Sequence, residues 1–459
     1  MTRCAGGWNS ISMPSDSAAT AEGTDGFLYR VLRRVIDLRP AEAQALAWSW
    51  LYVFALFLAY YVLRPIRDEL GVAGGVRNLP WLFTGTLLAM LAANPLFAYA
   101  VRRWPRETFI AIAYRFFMLN LLVFMLLLML ASEAQHVWIG RAFFIWVSVF
   151  NLFVVSVFWS FIVDVFDAEQ GKRLFGVLAA GATLGGIAGS ALTSGFVAHV
   201  GQNWLLLASI LLLEVAVFAV RRLSRISDAF RRPAPGDDPH RAVGGGIFAG
   251  MTHTLRSPYL LGIAGFILIY SITSTFLYFQ QATIAEAHFP DRTARTAFFA
   301  NIDFWVNVLT IAIQLFLTGR LTAWLGVAAM LCILPLLSAL GFAALATWPA
   351  VAVFVAVQVA RRVGNFALAR PTREVLFTAV PREDRYKAKN FIDTVVYRGG
   401  DQVGAWSYGG LIALGLGLTG IAVLAVPLSV AWLALSFWLG RQQQRAERLV
   451  PNAAPARPG

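Results

Sequence analysis

Hydrophobic residues in this chain neither alternate with polar ones nor recur at the three-to-four spacing of a surface helix. They run on in blocks, such as "LNLLVFMLLLML" from Leu119 to Leu130. A helix needs about 20 mostly apolar residues to cross the hydrocarbon of a bilayer. Blocks of that kind fall at 44–66, 80–101, 109–131, 137–165, 174–199, 203–221, 258–281, 297–318, 323–346, 348–378, 390–416 and 418–440. They predict an all-α membrane protein of about twelve transmembrane helices. The strands of a membrane barrel would alternate lipid-facing and polar positions over about ten residues, which these blocks do not. Backbone groups in lipid must also pair internally, which leaves helices.

The polar intervals divide the chain. An N-terminal arm covers 1–43, a first set of six helices 44–221, a linker 222–257, a second set of six 258–440 and a tail 441–459. The linker region, "RRLSRISDAFRRPAPGDDPHRAVGGGIFAG", is rich in Arg, Pro, Gly and Asp, as joints between halves are. Many secondary transporters consist of two such halves with the substrate site between them near the midplane. Similarity between the halves is faint. "KRLFGVLAAGATLGG" against "AKNFIDTVVYRGGDQ" shares a basic residue, a Phe two places on and later glycines. Within the arm, 1–26 is small and polar without the apolar stretch of a signal peptide. Phe27, Val31, Val35 and Leu38 stand near helical spacing among arginines, the pattern of either an interfacial helix or a solvated arm.

Composition agrees with lipid as the main solvent: 58% of residues are hydrophobic, 14% are charged and the mean hydropathy is +0.64. The net charge of +13 would suggest a nucleic-acid partner in a soluble protein. Its distribution points elsewhere. Arg30, Arg33, Arg34 and Arg39 lie in the arm, Arg102, Arg103 and Arg106 in the second loop, and six more arginines between 221 and 241. All three lysines, Lys172, Lys387 and Lys389, fall in the fourth and tenth loops, whereas the fifth, ninth and eleventh loops carry no Lys or Arg. By the positive-inside rule both termini are cytoplasmic. The basic face then meets anionic lipid of a cell membrane, expected to be a bacterial inner membrane, and no nucleic acid is expected. Cys4 and Cys332 are too few and too differently placed for a disulfide framework. No Walker-type phosphate loop and no metal-ligand spacing occurs, so neither cofactor nor metal is expected and the chain does not read as an enzyme.

Ionisable residues inside spans are costly and usually face a cavity or one another. The sequence places Arg64, Arg67, Asp68 and Glu69 on the first helix, Arg115 on the third, Asp164 on the fourth, Asp303 on the eighth, Arg361, Arg362, Arg370 and Arg373 on the tenth, and Asp393, Arg398 and Asp401 on the eleventh. "RPIRDEL" at 64–70 and "RPTREVL" at 370–376 repeat one pattern. Arg64 and Arg67, like Arg370 and Arg373, share a helical face. Guanidinium groups fork onto phosphate or carboxylate and keep their charge when desolvated, so both pairs are candidate anion ligands. The alternative is local pairing, Arg64 with Asp68 and Arg370 with Glu374. Arg361, Arg362, Arg398 and Asp303 are further substrate-binding candidates, although Asp303, with Asn307 one turn on, could instead pair with an Arg across the bundle. Asp164, Asp393 and Glu374 are candidates for coupling or gating, Asp164 alternatively pairing with Lys172. Gly181, Gly185 and Gly189, four apart, favour close helix packing over ligand contact.

"YYVLRPIRDEL" resembles the first-helix pattern N-Y-x-x-L-R-D-T-K-D of the ATP/ADP translocase family, nucleotide transporters of plastids and intracellular bacteria related to the major facilitator superfamily. "FWSFIVDVFDAEQGKRLFG" and "LGVAAMLCILP" are similar to further family segments. "ARPTREVLFTAVPREDRYKAKNFIDTVVYRGG" follows a third, with Pro371, Thr372, Glu374, Pro381, Lys387, Lys389, Ile392, Asp393, Val395, Arg398 and Gly399 at matching places. The resemblance implies a major-facilitator-like fold and carries the family's functional basic residues onto Arg67 and Arg373, each an Arg where the family has Lys. Pro65 and Arg370 stand where the family has acids, Met330 where it has Lys, and the lysine after the last Arg-x-Gly is absent, with Asp401 nearby. The expected function is therefore secondary active transport of a small anionic solute by alternating access, with nucleotide exchange leading, by a monomer. A cavity of bare arginines should resist closing when empty, which favours exchange over net movement. A proton-coupled exporter relying on Asp164 or Asp303 is the alternative, and a non-transporting receptor or scaffold the third.

Overall fold

The computed structural model describes residues 40–104, 106–230, 249–380 and 388–449. The polar stretch 1–26, the segment 27–38, and Pro381 and Lys387 of the family-like segment lie outside the described residues, as does the linker between 231 and 248.

Among the described residues, nine helices are long and apolar enough to cross a membrane. Two of them, of 54 and 56 residues, would rise about 80 Å if straight, far beyond the about 30 Å hydrocarbon core. Each breaks at one glycine, Gly201 at φ 76° and Gly326 at φ 70°. Only glycine adopts that left-handed backbone without steric cost. Partners on either side show that the chain reverses at both. Gly181, Gly185 and Gly189 meet Trp50, Phe54 and Leu58 in rising order, whereas Gln202, Ser209 and Phe218 meet Glu69, Ala59 and Trp48 in falling order. Likewise Gln314 and Thr318 bond to Phe366 and Ala367 in rising order, while Ser338 and Gly341 meet Arg361 and Val357 in falling order.

Counted this way the spans are α1 (Pro40–Ala73), α2 (Leu79–Arg103), α3 (Arg106–Leu130), α4 (Glu133–Val165), α5 (168–200), α6 (202–230), α7 (Pro258–His288), α8 (292–325), α9 (327–347), α10 (Val351–Leu376), α11 (388–413) and α12 (Leu418–Leu449). The twelve predicted blocks are all helical. Span α11 falls short of membrane hydropathy because Arg398, Asp401 and Gln402 interrupt it. A short helix, Ala249–Arg256, precedes α7.

The side on which α1 begins is called near, and the other far. In the first half, α5 presses on α1 through Gly185 and Gly189, where an added Cβ would sit 2.6 Å from the Phe54 carbonyl oxygen and 2.5 Å from that of Leu58. In the second half, Gly400 and Gly404 of α11 meet Ser271 and Thr275 of α7, again in rising order. The faintly similar segments noted in the sequence thus lie on α5 and α11, which do the same packing work in their halves. Small residues permit such approaches, and packing rather than ligand contact is what these glycines do. One buried apolar core fills the first half and another the near part of the second; a third, including Leu79, Phe144, Phe276 and Phe279, joins the halves toward the far side.

Candidate functional site

The first half contributes Arg64, Arg67 and Asp68 from the last third of α1, and the second contributes Tyr278 from α7, Asp303 from α8 and Arg362 from α10. Counted from the far ends of their helices, all six lie about 8 to 17 Å deep, toward the middle of a bilayer. Asp303 is buried, and its Oδ1 takes Arg64 at 3.0 Å and Arg362 at 2.7 Å. Asp68 takes Arg67 at 2.6 Å and accepts the Tyr278 hydroxyl at 2.9 Å. Arg67 also lies 5.0 Å from the centre of the Phe144 ring, a favourable place for a desolvated cation. Three guanidinium groups thus share two carboxylates across the junction of the halves. Asp303 Oδ2 and Arg362 Nη2 are buried and take no protein partner, so the cluster retains hydrogen-bonding capacity.

From mid-depth to the near side, a cavity of about 1130 Å³ separates the halves. Its first-half wall, on α2 and α4, is largely apolar, with Leu87, Met90, Leu152 and Phe153 and polar points at Asn94 and Ser156. Its second-half wall is charged: Arg370, Arg373, Lys389 and Arg398 against Glu374 and Asp393. Arg373 reaches Asp393 at 3.3 Å, Lys389 pairs with Glu374, and Arg398 reaches Asp401 at 3.3 Å. Arg373 Nε is buried without a protein partner.

Among the described residues three stretches are π-helical: Gly364–Ala369 in α10 and Ile392–Val396 in α11, which contribute to the cavity wall, and Gln314–Thr318 in α8, which bonds to the first. Such wide turns are rare and concentrate at functional sites. The one in α10 has a legible cause. Pro371 supplies no N–H to the turn before it, and the carbonyls of Phe366 and Ala367 accept Gln314 and Thr318 from α8 instead.

Toward the far side the halves are joined. Glu69, buried on α1, holds Arg295 of α8 at 3.0 Å, and Gln202 donates to both Glu69 and Thr296. Arg292 of α8 pairs with Glu133 at 2.6 Å and contacts His136 at 3.3 Å. Thr84 of α2 bonds to Gln402 of α11, and Trp81 meets Trp406 edge-on. Asp291 caps α8 by accepting the Ala294 N–H, which holds its carboxyl below the usual carboxylate range.

Local pairing of the repeated motif is not observed. Arg64 goes to Asp303 and leaves Asp68 to Arg67; Glu374 goes to Lys389, and Arg370 lines the cavity. The two adjacent arginines of α10 separate: Arg362 joins Asp303, whereas Arg361 is buried within the second half, donating to Ser338, Thr273 and the Tyr270 carbonyl. Asp164 is half-buried on α4 and does not line the cavity, and the Lys172 side chain is outside the described residues. The expectation of bare arginines is corrected in part, since Arg64, Arg67, Arg362, Arg373 and Arg398 each have a carboxylate within 3.3 Å. Cations still outnumber carboxylates by one in the cluster and by two on the cavity wall. Tyr278, Arg292, Arg295 and Gln202 were missed, because a lone tyrosine within an apolar run and single polar residues near helix ends carry no signal until a partner is known.

No family profile matches the chain. It is 27% identical over 206 residues to ADP,ATP carrier protein 1 of Chlamydia trachomatis serovar D, covering 40% of this chain and 39% of that one. It is 26% identical over 202 residues to ADP,ATP carrier protein 1 of Chlamydia pneumoniae, covering 39% of each. The match thus spans about two fifths of the relatives' length. Among solved structures, it resembles a bacterial homologue of the iron transporter ferroportin in its inward-facing state, with a TM-score of 0.61 and 13% identity over 88% of this chain and 98% of that one. A POT family transporter in complex with a thioalcohol-conjugated peptide gives 0.59 and 11% over 87% and 96%. The fold is major-facilitator-like: about twelve helices in two six-helix halves.

Proposed function

We propose that this chain is a transporter, not an enzyme, that moves an anionic solute across a bacterial inner membrane by alternating access. Nucleotide of the ATP/ADP type is the leading solute, and both termini are cytoplasmic. The observation that carries this reading is the cluster of Arg64, Arg67 and Arg362 shared between the halves, continuous in sign with the cationic cavity wall. A guanidinium in a desolvated place binds phosphate bidentately and cannot lose its proton, and the excess of cations leaves room for an anion that no protein group supplies. Sequence similarity to ADP,ATP carrier proteins supports nucleotide among the possible anions.

The cavity opens on the near side, and the arginine distribution supports reading that side as the cytoplasmic one. The far-side pairs Glu69–Arg295 and Glu133–Arg292 would part in the opposite state. A bound anion lowers the cost of closing the halves around excess positive charge, which favours exchange. A proton-coupled exporter fits less well, since Asp303 is engaged by both Arg64 and Arg362 and does not line the cavity.

The test is tracer efflux from proteoliposomes preloaded with labelled ADP. Unlabelled ATP or ADP outside should accelerate efflux at least tenfold, and dissipating the proton gradient should leave this counterflow intact. Equal efflux with and without external nucleotide, together with strong dependence on an imposed pH step, would refute nucleotide exchange.

A further inference from the structure

One charged pair has no place in this transport path. Arg115 of α3 and Glu214 of α6 meet at 2.8 Å with side chains 44% and 50% exposed. They are not at a helix end: Arg115 is nine residues, about 14 Å, into α3, and Glu214 is thirteen residues, about 20 Å, beyond the Gly201 bend. The surface around them is apolar, with Ile112, Phe116, Leu119, Leu211, Val215 and Phe218 all exposed. Neither residue lines the cavity. The pair therefore faces outward at mid-membrane depth.

Ionisable groups at that depth nearly always face the bundle interior or a water-filled cavity, because hydrocarbon offers them nothing. Internal pairing meets only part of the need here. Arg115 gives Glu214 a single hydrogen bond, from Nη2 to Oε1, out of the five N–H groups that a guanidinium carries. Reaching a near-side headgroup, about 9 Å away by the block 109–131, would draw the guanidinium off Glu214 and leave that carboxylate unpaired in hydrocarbon. A second copy of this chain can supply the remainder. A two-fold axis along the membrane normal sets Arg115 of each copy against Glu214 of the other, and an adjacent plus and minus charge is self-complementary under that operation. The exposed apolar ridge of α3 and α6 packs around the four charges.

We infer that two copies of this chain pair through the α3/α6 face, with Arg115 and Glu214 exchanging partners at its centre. This replaces the monomer expected from the sequence and is independent of what is transported, because the face lies outside both cavity and cluster.

The first measurement is single-molecule photobleaching of the fluorescently tagged full-length chain in liposomes at high dilution. Two-step bleaching is expected in the majority of spots, and one-step bleaching throughout would overturn the pairing. The second uses two differently tagged chains, one carrying Arg115→Glu and the other Glu214→Arg. Each expressed alone should lose self-capture at least tenfold, because like charges then oppose across the axis, whereas together they should capture each other as wild type does. Loss of an internal ion pair alone would weaken both and gain nothing from mixing, which would likewise overturn the proposal, as would a phospholipid held at this face by a monomer. If the variants fail to insert, the wild-type step count still decides.

Discussion

The repeated Arg-Pro-x-Arg motif is used differently in its two places. On α1 both arginines go into the central cluster, whereas on α10 both line the cavity, and the cluster position is taken by Arg362, eight residues earlier. Arg67→Ala should abolish nucleotide counterflow, by tenfold or more, while leaving membrane insertion intact, and Arg373→Ala should do the same. Lys at either position should be the mildest substitution, since the charge is kept while the fork is lost. Asp303→Asn has a different expected signature. It leaves Arg64 and Arg362 facing each other without their carboxylate, and breaking a buried pair costs about 3–5 kcal/mol, so this variant should lose thermal stability in detergent as well as transport. Normal transport by both alanine variants alongside failure of Asp303→Asn would favour a carboxylate-centred mechanism.

Close approach governs the elements. At Gly185 and Gly189 a side chain would meet the α1 backbone, which cannot yield as a side chain end can, whereas at Gly176 and Gly195 an added Cβ has nothing within 4 Å. Gly185→Val and Gly189→Val should therefore sharply reduce the yield of folded protein on size-exclusion chromatography, and Gly195→Ala should not. The three wide turns belong to this scale too. Replacing Thr318 by Val removes the hydroxyl that satisfies the Ala367 carbonyl beside Pro371. An unsatisfied buried polar group costs about 1–3 kcal/mol, and slower transport with retained insertion is the expected outcome.

The whole molecule is closed at its far side and open at its near side, and the far-side closure includes α8 reaching α1 and α4 through Arg295 and Arg292, beside the contacts of α2 with α11. Linking Glu133→Cys to Arg292→Cys with a short bifunctional thiol reagent, in a chain with Cys4 and Cys332 replaced by Ser, should stop transport until the link is cleaved. Continued exchange after complete linking would show that this end does not open. A cysteine at Gln202 should be labelled by an impermeant thiol reagent on intact cells and one at Arg232 should not; labelling of the second from outside would reverse the assigned orientation.

Length and hydropathy of the apolar blocks determined the helices, because a bilayer demands about 20 apolar residues per crossing whatever lies alongside. The break at 201 was legible as a gap between blocks, whereas that at Gly326 falls four residues past the expected gap, inside the block 323–346. The Gly181-Gly185-Gly189 spacing also spoke for itself, since residues four apart share a face of any helix. The sequence further singled out nearly every charge in the central cluster, because ionised groups are conspicuous in apolar runs. It could not say how they pair. Arg64 has Asp68 four residues away, yet bonds to Asp303, 239 positions along the chain. Tertiary structure decided that by bringing α1, α8 and α10 to one depth between the halves, where the strength of an ion pair depends on distance and desolvation rather than on separation in sequence. It also decided which of two adjacent arginines, Arg361 or Arg362, reaches the cluster and which is sealed into the second half, because neighbours on a helix point about 100° apart and only packing chooses which direction holds the carboxylate.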